Sequence, residues 1–223
     1  MSEIEDFRLQ VKPQPSLRLG RAERTRAAIL DAALGILWER PFRELTVGTV
    51  MESTGVGRSA FYQYFSDLHD LMHTVQQMVQ AEIFAVVDPW MSGVGDPVAR
   101  LNESLAGLVR VGHQLGPFLR ALSDATATDE IFENAWNEFL GAFDDAASAR
   151  IEADQGQGLI LDFDPRPVAI ALNRLDASTL IQAFGQHPRA EPGPVHDALF
   201  RIWVGTLYGT EWTERGASDL VRI

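Results

Sequence analysis

The chain has 223 residues, of which 46% are hydrophobic, which is enough for one domain of ordinary size or for a small domain joined to a larger one. It contains no cysteine, and this excludes disulfides and thiolate metal sites and favours a reducing, cytoplasmic location. The start of the chain lacks the pattern of a secretory leader, and no apolar run approaches the ~18 residues of a membrane span, so we expect a soluble protein without a membrane partner.

The formal net charge of −12 is distributed unevenly along the chain. Residues 8–65 carry nine basic and five acidic side chains, a net of +4, whereas residues 66–223 carry a net of −13. A small cationic segment joined to a larger anionic body suits a polyanionic partner at one end and a different function at the other. The alternative is that exposed helices simply carry uneven charge.

The N-terminal quarter predicts an arm followed by three short helices. Residues 1–20 contain prolines and scattered arginines without a sustained period, which is typical of a flexible basic arm. Apolar spacing predicts a first helix over 21–40 and a second over 47–53, with Thr46 as the cap of the second. A third helix is predicted over 58–65.

The rest of the chain predicts a body of about six helices. Glycine and proline mark the breaks between them, including the LGP sequence at 115–117. The strand-like GLILDFD sequence at 158–164 is too short and isolated to indicate a sheet. We therefore expect an all-α protein with an N-terminal helical head over 21–66 and a C-terminal domain over 67–223. The helices predicted for this domain are 67–90, 96–113, 117–124, 129–154, 166–186 and 194–211.

The two short helices at 47–53 and 58–65 fit a helix-turn-helix unit, in which the second helix enters the major groove of DNA. Phe61 and Phe65 are four residues apart, so both can pack on the first two helices. Forked Arg and Gln side chains suit base edges, and tyrosine hydroxyls suit phosphate oxygens. A helix pair that only packs is the alternative, but it does not explain the local basic excess. The polar side chains left on the other faces are Arg58, Ser59, Tyr62, Gln63 and Tyr64.

The sequence TVGTVMESTGVGRSAFYQYFSDLHDLM, preceded by TRAAILDAALGILWER, resembles the TetR (tetracycline-repressor-like) family of one-component bacterial regulators over residues 21–75. The shared pattern is a Thr-Val helix start, Gly-Val in the turn, a closely spaced aromatic ending and a serine-capped next helix. This resemblance implies an all-α homodimer with a DNA-binding head and a ligand-binding body. We therefore expect a repressor that a small, mainly apolar molecule releases from a palindromic operator in double-stranded DNA.

Three positions depart from the family pattern. Gly57 replaces the usual Ser or Thr cap, Ala60 replaces a frequent Thr that contacts DNA, and Asp67 replaces a lysine near phosphate. Each change removes a contact, and Asp67 would repel the DNA backbone. Our hypothesis is that arginines near the N-terminus compensate. The full set of predicted DNA-contacting residues is Arg18, Arg21, Arg24, Arg26, Thr46, Gly57, Arg58, Ser59, Ala60, Tyr62, Gln63 and Tyr64.

The C-terminal domain carries two stripes that predict a ligand pocket. An aromatic stripe runs along 129–154, and an apolar stripe along 166–186 has Asn173 and Asp176 set into it. Polar groups buried in this way lie either in a satisfied hydrogen-bond network or in a cavity that uses them, and both remain open.

The sequences ALNRLDASTLIQAFGQHP and HDALFRIWVGTLYG resemble the ethionamide-resistance-repressor branch of the family. This resemblance implies that Asn173 and Trp203 line a deep, largely apolar channel. Asp176 stands where that branch carries an amide, which points to a different ligand preference. The predicted pocket residues are Trp136, Phe139, Leu140, Phe143, Asn173, Asp176, Leu180, Phe184 and Trp203.

The last two long helices mix small and bulky residues on more than one face, which favours burial against both the body and a second subunit. The family resemblance implies that they form the four-helix bundle of a homodimer. A two-fold dimer places its recognition helices about one DNA turn (~34–36 Å) apart or farther. Ligand binding would pull the helix at 67–90 and change this separation.

A helical metal- or small-molecule-binding enzyme is the main alternative class. His69 and His73 are four residues apart and could hold a metal, but they lack the HExxH form and a third ligand, so exposed helix histidines are the better interpretation. We predict no catalytic residue, cofactor or metal site. A helical protein-interaction adaptor is the second alternative, and salt-dependent binding to duplex DNA would exclude it.

Overall fold

The structure is a computed structural model and describes residues 20–127 and 129–209. All the regular elements in these ranges are helical. Two 3₁₀ segments, Phe42–Glu44 and Arg58–Gln63, flank the second α-helix. No strand occurs within the described ranges, which confirms the predicted all-α class. The α-helices are α1 (Arg21–Glu39), α2 (Val47–Thr54), α3 (Leu68–Met91), α4 (Pro97–Ala125), α5 (Glu130–Gly156), α6 (Pro165–Phe184) and α7 (Pro192–Leu207).

The described residues form two compact units. The N-terminal unit contains the chain up to Met78 together with Arg120–Ala135, and the C-terminal unit contains Val79–Leu119 and the chain from Trp136 onward. Helices α3, α4 and α5 each contribute residues to both units. No helix in the described ranges is long and apolar enough to cross a membrane.

Local hydrogen bonds fix the ends of α2 in the N-terminal unit. The Thr46 hydroxyl accepts a hydrogen bond from the Thr49 N–H at 3.1 Å, and the Thr49 hydroxyl accepts one from the Thr46 N–H at 2.9 Å. The helix ends at Gly55, whose φ of 67° lies in the left-handed region. The apolar face of α2 is buried through Val50 and Met51. These caps set the short turn that leads to residue 57.

The segment after this turn is helical, as the sequence predicts, but it is not an α-helix. Arg58–Gln63 forms a 3₁₀ helix, and Gly57 provides no side-chain cap for it. So short a segment gains few α-helical hydrogen bonds to offset the cost of nucleation, and the tighter 3₁₀ turn takes its place. The Phe65 N–H donates to the Phe61 carbonyl at 3.0 Å, so both phenylalanines still share one face.

The predicted break at residues 115–117 is wrong, because α4 continues through them. Proline has no N–H, so Pro117 leaves the His113 carbonyl without its partner in the helix. The Arg189 side chain fills this role, since its Nη1 donates to the His113 carbonyl oxygen at 2.7 Å. A residue far along the chain therefore satisfies the carbonyl that the proline exposes, and the helix remains continuous.

Gly116 in the same stretch allows α4 and α6 to lie close together. A Cβ at Gly116 would lie 2.5 Å from the Phe184 carbonyl oxygen, and one at Gly112 would lie 2.8 Å from Leu180 Cδ2. A side chain at Gly116 would meet the Phe184 backbone and push the two helices apart, whereas one at Gly112 would require the Leu180 side chain to move. The glycine that suggests a helix end in the sequence therefore marks a helix contact in the structure.

Candidate functional site

The 3₁₀ segment of the N-terminal unit separates apolar and polar side chains. Phe61 is fully buried and Phe65 is 2% exposed, and their ring centroids lie 5.6 Å apart. Tyr62 is 55% exposed, and Arg58 and Gln63 are also exposed. The phenylalanines thus anchor the segment while the polar groups face outward, as an element that reads DNA requires.

The other predicted DNA-contacting residues have different surroundings. Ser59, Gly57 and Thr46 are exposed, whereas Ala60 and Tyr64 are half-buried. The predicted helix arginines Arg21, Arg24 and Arg26 are exposed on α1, and Arg18 lies outside the described residues.

Arg26 is held against the anchor of the 3₁₀ segment. Its guanidinium carbon lies 5.3 Å from the centroid of the Phe65 ring, within reach of a cation–π interaction. This contact orients one cation of α1 on the same unit as the outward-facing 3₁₀ segment.

Asp67, which departs from the family pattern, has a structural role at the start of α3. Its Oδ1 accepts a hydrogen bond from the Asp70 N–H at 2.9 Å, and Asp70 Oδ2 accepts one from the Ser66 N–H at 2.9 Å. These two hydrogen bonds cap the helix. The carboxylate that is predicted to repel DNA therefore also stabilises the first turn of α3.

The two histidines of α3 do not form a shared site. His69 is half-buried, which corrects its prediction as an exposed residue, and its Nε2 lies 2.7 Å from Asp129 Oδ2. This hydrogen bond lowers the pKa of Asp129 below its ordinary value. His73 is exposed and lies 3.0 Å from Gln77 Nε2. Among residues 20–127 and 129–209, no cluster of three or more His, Asp or Glu side chains could hold a metal ion.

The C-terminal unit contains a cavity of about 70 Å³ with mainly apolar walls. Helices α3, α4, α5, α6 and α7 all contribute to its lining. The structure brings together eight of the nine predicted pocket residues here, namely Trp136, Phe139, Leu140, Phe143, Asn173, Asp176, Leu180 and Trp203.

Phe184 is the predicted pocket residue that does not line this cavity. It is fully buried, and its ring meets the His113 ring edge to face with centroids 5.2 Å apart. Its backbone also lies against Gly116. Phe184 therefore belongs to the packing between α4 and α6, because the close approach at the glycine places it there.

Asn173 belongs to a satisfied polar network as well as to the cavity wall. Its Nδ2 donates to Asp144 Oδ1 at 2.9 Å. Arg174 binds the same carboxylate through both terminal nitrogens, at 3.2 Å and 2.9 Å. The half-buried Asn173 therefore takes part in a satisfied network and also borders the cavity, and its role in ligand binding stays a prediction.

Asp176 lies in the same wall but has a different environment. Its side chain is buried, and Oδ1 accepts a hydrogen bond from Trp203 Nε1 at 3.0 Å. Burial raises the pKa of Asp176 to about 7, although the indole hydrogen bond acts in the opposite direction. The pKa of this carboxyl group therefore lies near neutral pH.

Sequence reasoning missed the walls that come from α3 and α4. Ile83, Val87 and Trp90 lie at offsets 0, 4 and 7 on α3, the same helical rhythm that identified the other walls. The signal was therefore present in the sequence. The remaining lining residues that were missed are Met91, Leu101, Ser104, Leu105, Leu108, Leu119 and Ala177.

Buried hydrogen bonds hold Trp90 in the cavity wall. Its Nε1 donates to the Tyr208 hydroxyl at 2.8 Å, and that hydroxyl donates to Asp154 Oδ2 at 2.7 Å. Arg150 Nη2 lies 3.0 Å from the other oxygen of Asp154. Burial raises the pKa of Tyr208, so the hydroxyl remains a donor at ordinary pH. This chain fixes the C-terminal end of α3 by direct hydrogen bonds.

A helix-turn-helix surface with outward polar groups, together with a helical unit that contains an apolar cavity, is the arrangement expected of a DNA-binding transcriptional regulator that responds to a ligand. The family model for "Bacterial regulatory proteins, tetR family" matches residues 29–75. The family model for "Transcriptional regulator EthR, C-terminal domain" matches residues 102–209. The chain belongs to the TetR family of bacterial regulators and is a ligand-responsive repressor of the EthR-like type.

Two curated relatives agree with this assignment. The transcriptional regulator EthR of Mycobacterium tuberculosis is 27% identical over 187 residues, which cover 82% of this chain and 86% of that protein. The transcriptional repressor LfrR of Mycolicibacterium smegmatis is 36% identical over 93 residues, which cover 40% of this chain and 48% of that protein. The relationship to EthR therefore extends over most of both chains.

Solved structures support the fold. GusR of Salmonella enterica has a TM-score of 0.69 at 19% identity, covering 86% of this chain and 99% of that one. The SmeT–triclosan complex has a TM-score of 0.70 at 16% identity, covering 83% of this chain and 92% of that one. At these identities the likeness concerns the arrangement of helices.

Proposed function

We propose that two copies of this chain bind a palindromic operator and leave it when a small molecule occupies the cavity of the C-terminal unit. The observation that carries the proposal is that α3 lines the cavity with Ile83, Val87 and Trp90, while its first eleven residues belong to the N-terminal unit. A ligand that displaces the C-terminal half of α3 acts on a helix that continues into the DNA-binding unit. The protein acts in the cytoplasm as a regulator and not as an enzyme.

We assign a separate function to each part of the chain. We assign residues 21–66 to the DNA-binding head, residues 1–20 to a basic arm that adds phosphate contacts, and residues 67–223 to ligand binding and dimerisation. Arg58 and Gln63 reach base edges, because both are exposed and have the forked geometry that guanine and adenine require. Phosphate contacts come from Tyr62 and Tyr64 and from the arginines of α1.

The size of the cavity bears on how the ligand acts. A cavity of about 70 Å³ is smaller than the roughly 300–1,000 Å³ of typical ligand sites, so a drug-sized molecule must displace the surrounding helices. The structure of SmeT with triclosan is a precedent for a small molecule bound to this fold. Because the lining includes α3, the conformation with a widened cavity competes with the conformation that binds DNA. The ligand shifts the equilibrium between these two conformations by its differential affinity for them.

Helices α6 and α7 form the proposed dimer interface. One face of α7 is buried through Leu199, Trp203 and Val204, while Ile202 remains 41% exposed on another face beside small neighbours. Apolar area of this kind is suited to a two-fold contact in which the same patch of each subunit meets its copy. The palindrome of the operator would reflect this symmetry.

The experiment that tests the DNA-binding part selects binding sites from random duplex DNA with the full-length chain. We expect a palindromic site bound by a dimer, with affinity that falls steeply as salt rises. The Arg58→Ala variant is expected to lose about 1–3 kcal/mol and to relax base preference at one position in each half-site. Arg100→Ala, which removes the same charge from the exposed surface of α4, serves as the control. Equal operator affinity of the Arg58 variant and the native chain would contradict the assignment.

A further inference from the structure

The acidic residues buried in the C-terminal unit are not equivalent. Asp144 has its arginine partner Arg174 at 2.9 Å, and Asp154 has Arg150 at 3.0 Å. Asp176 is equally buried, at 5% exposure, but its hydrogen-bond partner in the described part of the chain is the neutral indole of Trp203. Two of the three buried carboxylates are therefore neutralised by the protein, and the third is not.

The cavity lining around Asp176 contains no cation that could take this role. Among the residues that line the cavity there is no lysine, arginine or histidine, and Asp176 is the one acidic side chain. The other polar lining groups are the neutral Ser104 and Asn173. A buried carboxylate without a cation is costly, and it becomes favourable when a partner supplies the opposite charge.

The rest of the lining is suited to a positive charge that carries hydrocarbon. Aromatic ring faces attract ammonium groups, and binding sites for organic cations are built from them. The Trp203 ring, which holds the carboxylate, meets the Trp90 ring edge to face with centroids 5.3 Å apart. The aromatic side chains that line the cavity are Trp90, Trp136, Phe139, Phe143 and Trp203.

We propose that the cavity selects an amphipathic organic cation, whose ammonium group pairs with Asp176 while its hydrocarbon part packs on the aromatic and aliphatic walls. This inference rests on the proposed function, because it concerns the same ligand, and it narrows the ligand from a mainly apolar molecule to a cationic one. The ligand would give Asp176 the positively charged partner that Asp144 has in Arg174 and Asp154 has in Arg150.

The test compares three probes with the same hydrocarbon chain: n-octylamine, n-octanol and octanoate. Their dissociation constants are measured by calorimetry for the native full-length chain, for Asp176→Asn and for the control Glu152→Gln, which removes one exposed acid from α5. We expect the native chain and the control to bind octylamine about tenfold or more tightly than octanol, with octanoate weakest. Asp176→Asn is expected to bind octylamine no more tightly than octanol.

Two outcomes would overturn the inference: failure of octylamine to bind, or an amine preference that persists in Asp176→Asn. The second variant, Trp203→Phe, checks the geometry, because it removes the indole hydrogen bond and leaves the carboxylate in place, so the preference for amine is expected to remain. Operator binding is measured in parallel with each probe. If octanol binds as tightly as octylamine and releases the operator, the cation inference fails while the proposed function stands. If octylamine binds as expected but leaves operator affinity unchanged, the proposed function fails instead.

Discussion

At the scale of single residues, the buried carboxyl of Asp176 makes stability depend on pH. Its pKa is raised to about 7 in the folded chain, above the ordinary value near 4 that it has when unfolded. Between these values the folded state binds more protons than the unfolded state, so the contribution of Asp176 to stability is present at low pH and is lost as pH rises toward 7. Above about pH 7 the contribution no longer changes.

The prediction is that Asp176→Asn removes this dependence. The amide of the variant does not titrate, so this site no longer loses stability as pH rises. The difference in unfolding free energy between the variant and the native chain should therefore grow in favour of the variant by up to about 1.4 kcal/mol per pH unit between pH 5 and 7, and then level off. Urea unfolding at several pH values measures it. Glu152→Gln should leave the native slope in place. A constant difference between Asp176→Asn and the native chain from pH 5 to 8 would contradict the assignment.

The Tyr208 hydroxyl is the second residue with a specific predicted effect. Tyr208→Phe leaves the Trp90 indole N–H and Asp154 Oδ2 buried without this partner. An unsatisfied buried group costs about 1–3 kcal/mol, so the unfolding free energy should fall by at least that amount. The matched control is Tyr62→Phe, which removes an exposed hydroxyl from the N-terminal unit. Equal unfolding free energies for Tyr208→Phe and the native chain would show that the hydrogen-bond chain contributes nothing.

At the scale of elements, the continuity of α4 depends on the partner of one carbonyl. Arg189→Ala removes the donor to the His113 carbonyl and should destabilise the chain by about 1–3 kcal/mol. Pro117→Ala restores an N–H that can donate to the same carbonyl. In the combined variant the arginine should therefore matter less, and a double-mutant cycle in urea should give a coupling energy of about 1 kcal/mol. Strictly additive effects would mean that the two residues do not share this acceptor.

A comparison of the 3₁₀ segment with α4 shows why the sequence predicted some elements and not others. The spacing of Phe61 and Phe65 was sufficient to predict the buried face of the 3₁₀ segment, because both residues act through local geometry. The continuity of α4 through Pro117 could not be predicted, because the compensating donor, Arg189, lies in a distant part of the chain. Local patterns predict faces, whereas proline tolerance depends on tertiary partners.

The candidate pocket follows the same distinction. The apolar rhythm around Asn173 and Asp176 placed both residues in a common wall. Their different partners, a carboxylate for Asn173 and an indole for Asp176, depend on residues from other helices. Phe184 has the same rhythm as the pocket residues but packs beside Gly116, since a periodic pattern identifies a buried face without telling core from cavity.

At the scale of the whole molecule, the account requires that occupation of the cavity and binding of DNA are linked. A molecule that weakens operator affinity a hundredfold must itself bind the operator-bound protein a hundredfold less tightly, which corresponds to about 2.7 kcal/mol of coupling. Lining residues of α3 such as Trp90 lie on a helix that also contributes to the N-terminal unit. The account therefore assigns to this helix the coupling between the small molecule and DNA.

The most direct measurement is the operator dissociation constant of the full-length chain, followed by fluorescence anisotropy while a molecule that binds the cavity is added. The account predicts that the constant rises with ligand concentration and levels off when the cavity is saturated in both states. It also predicts that the affinity of the ligand falls by the same factor when operator is bound. An operator dissociation constant that does not change while calorimetry shows a fully occupied cavity would contradict the account.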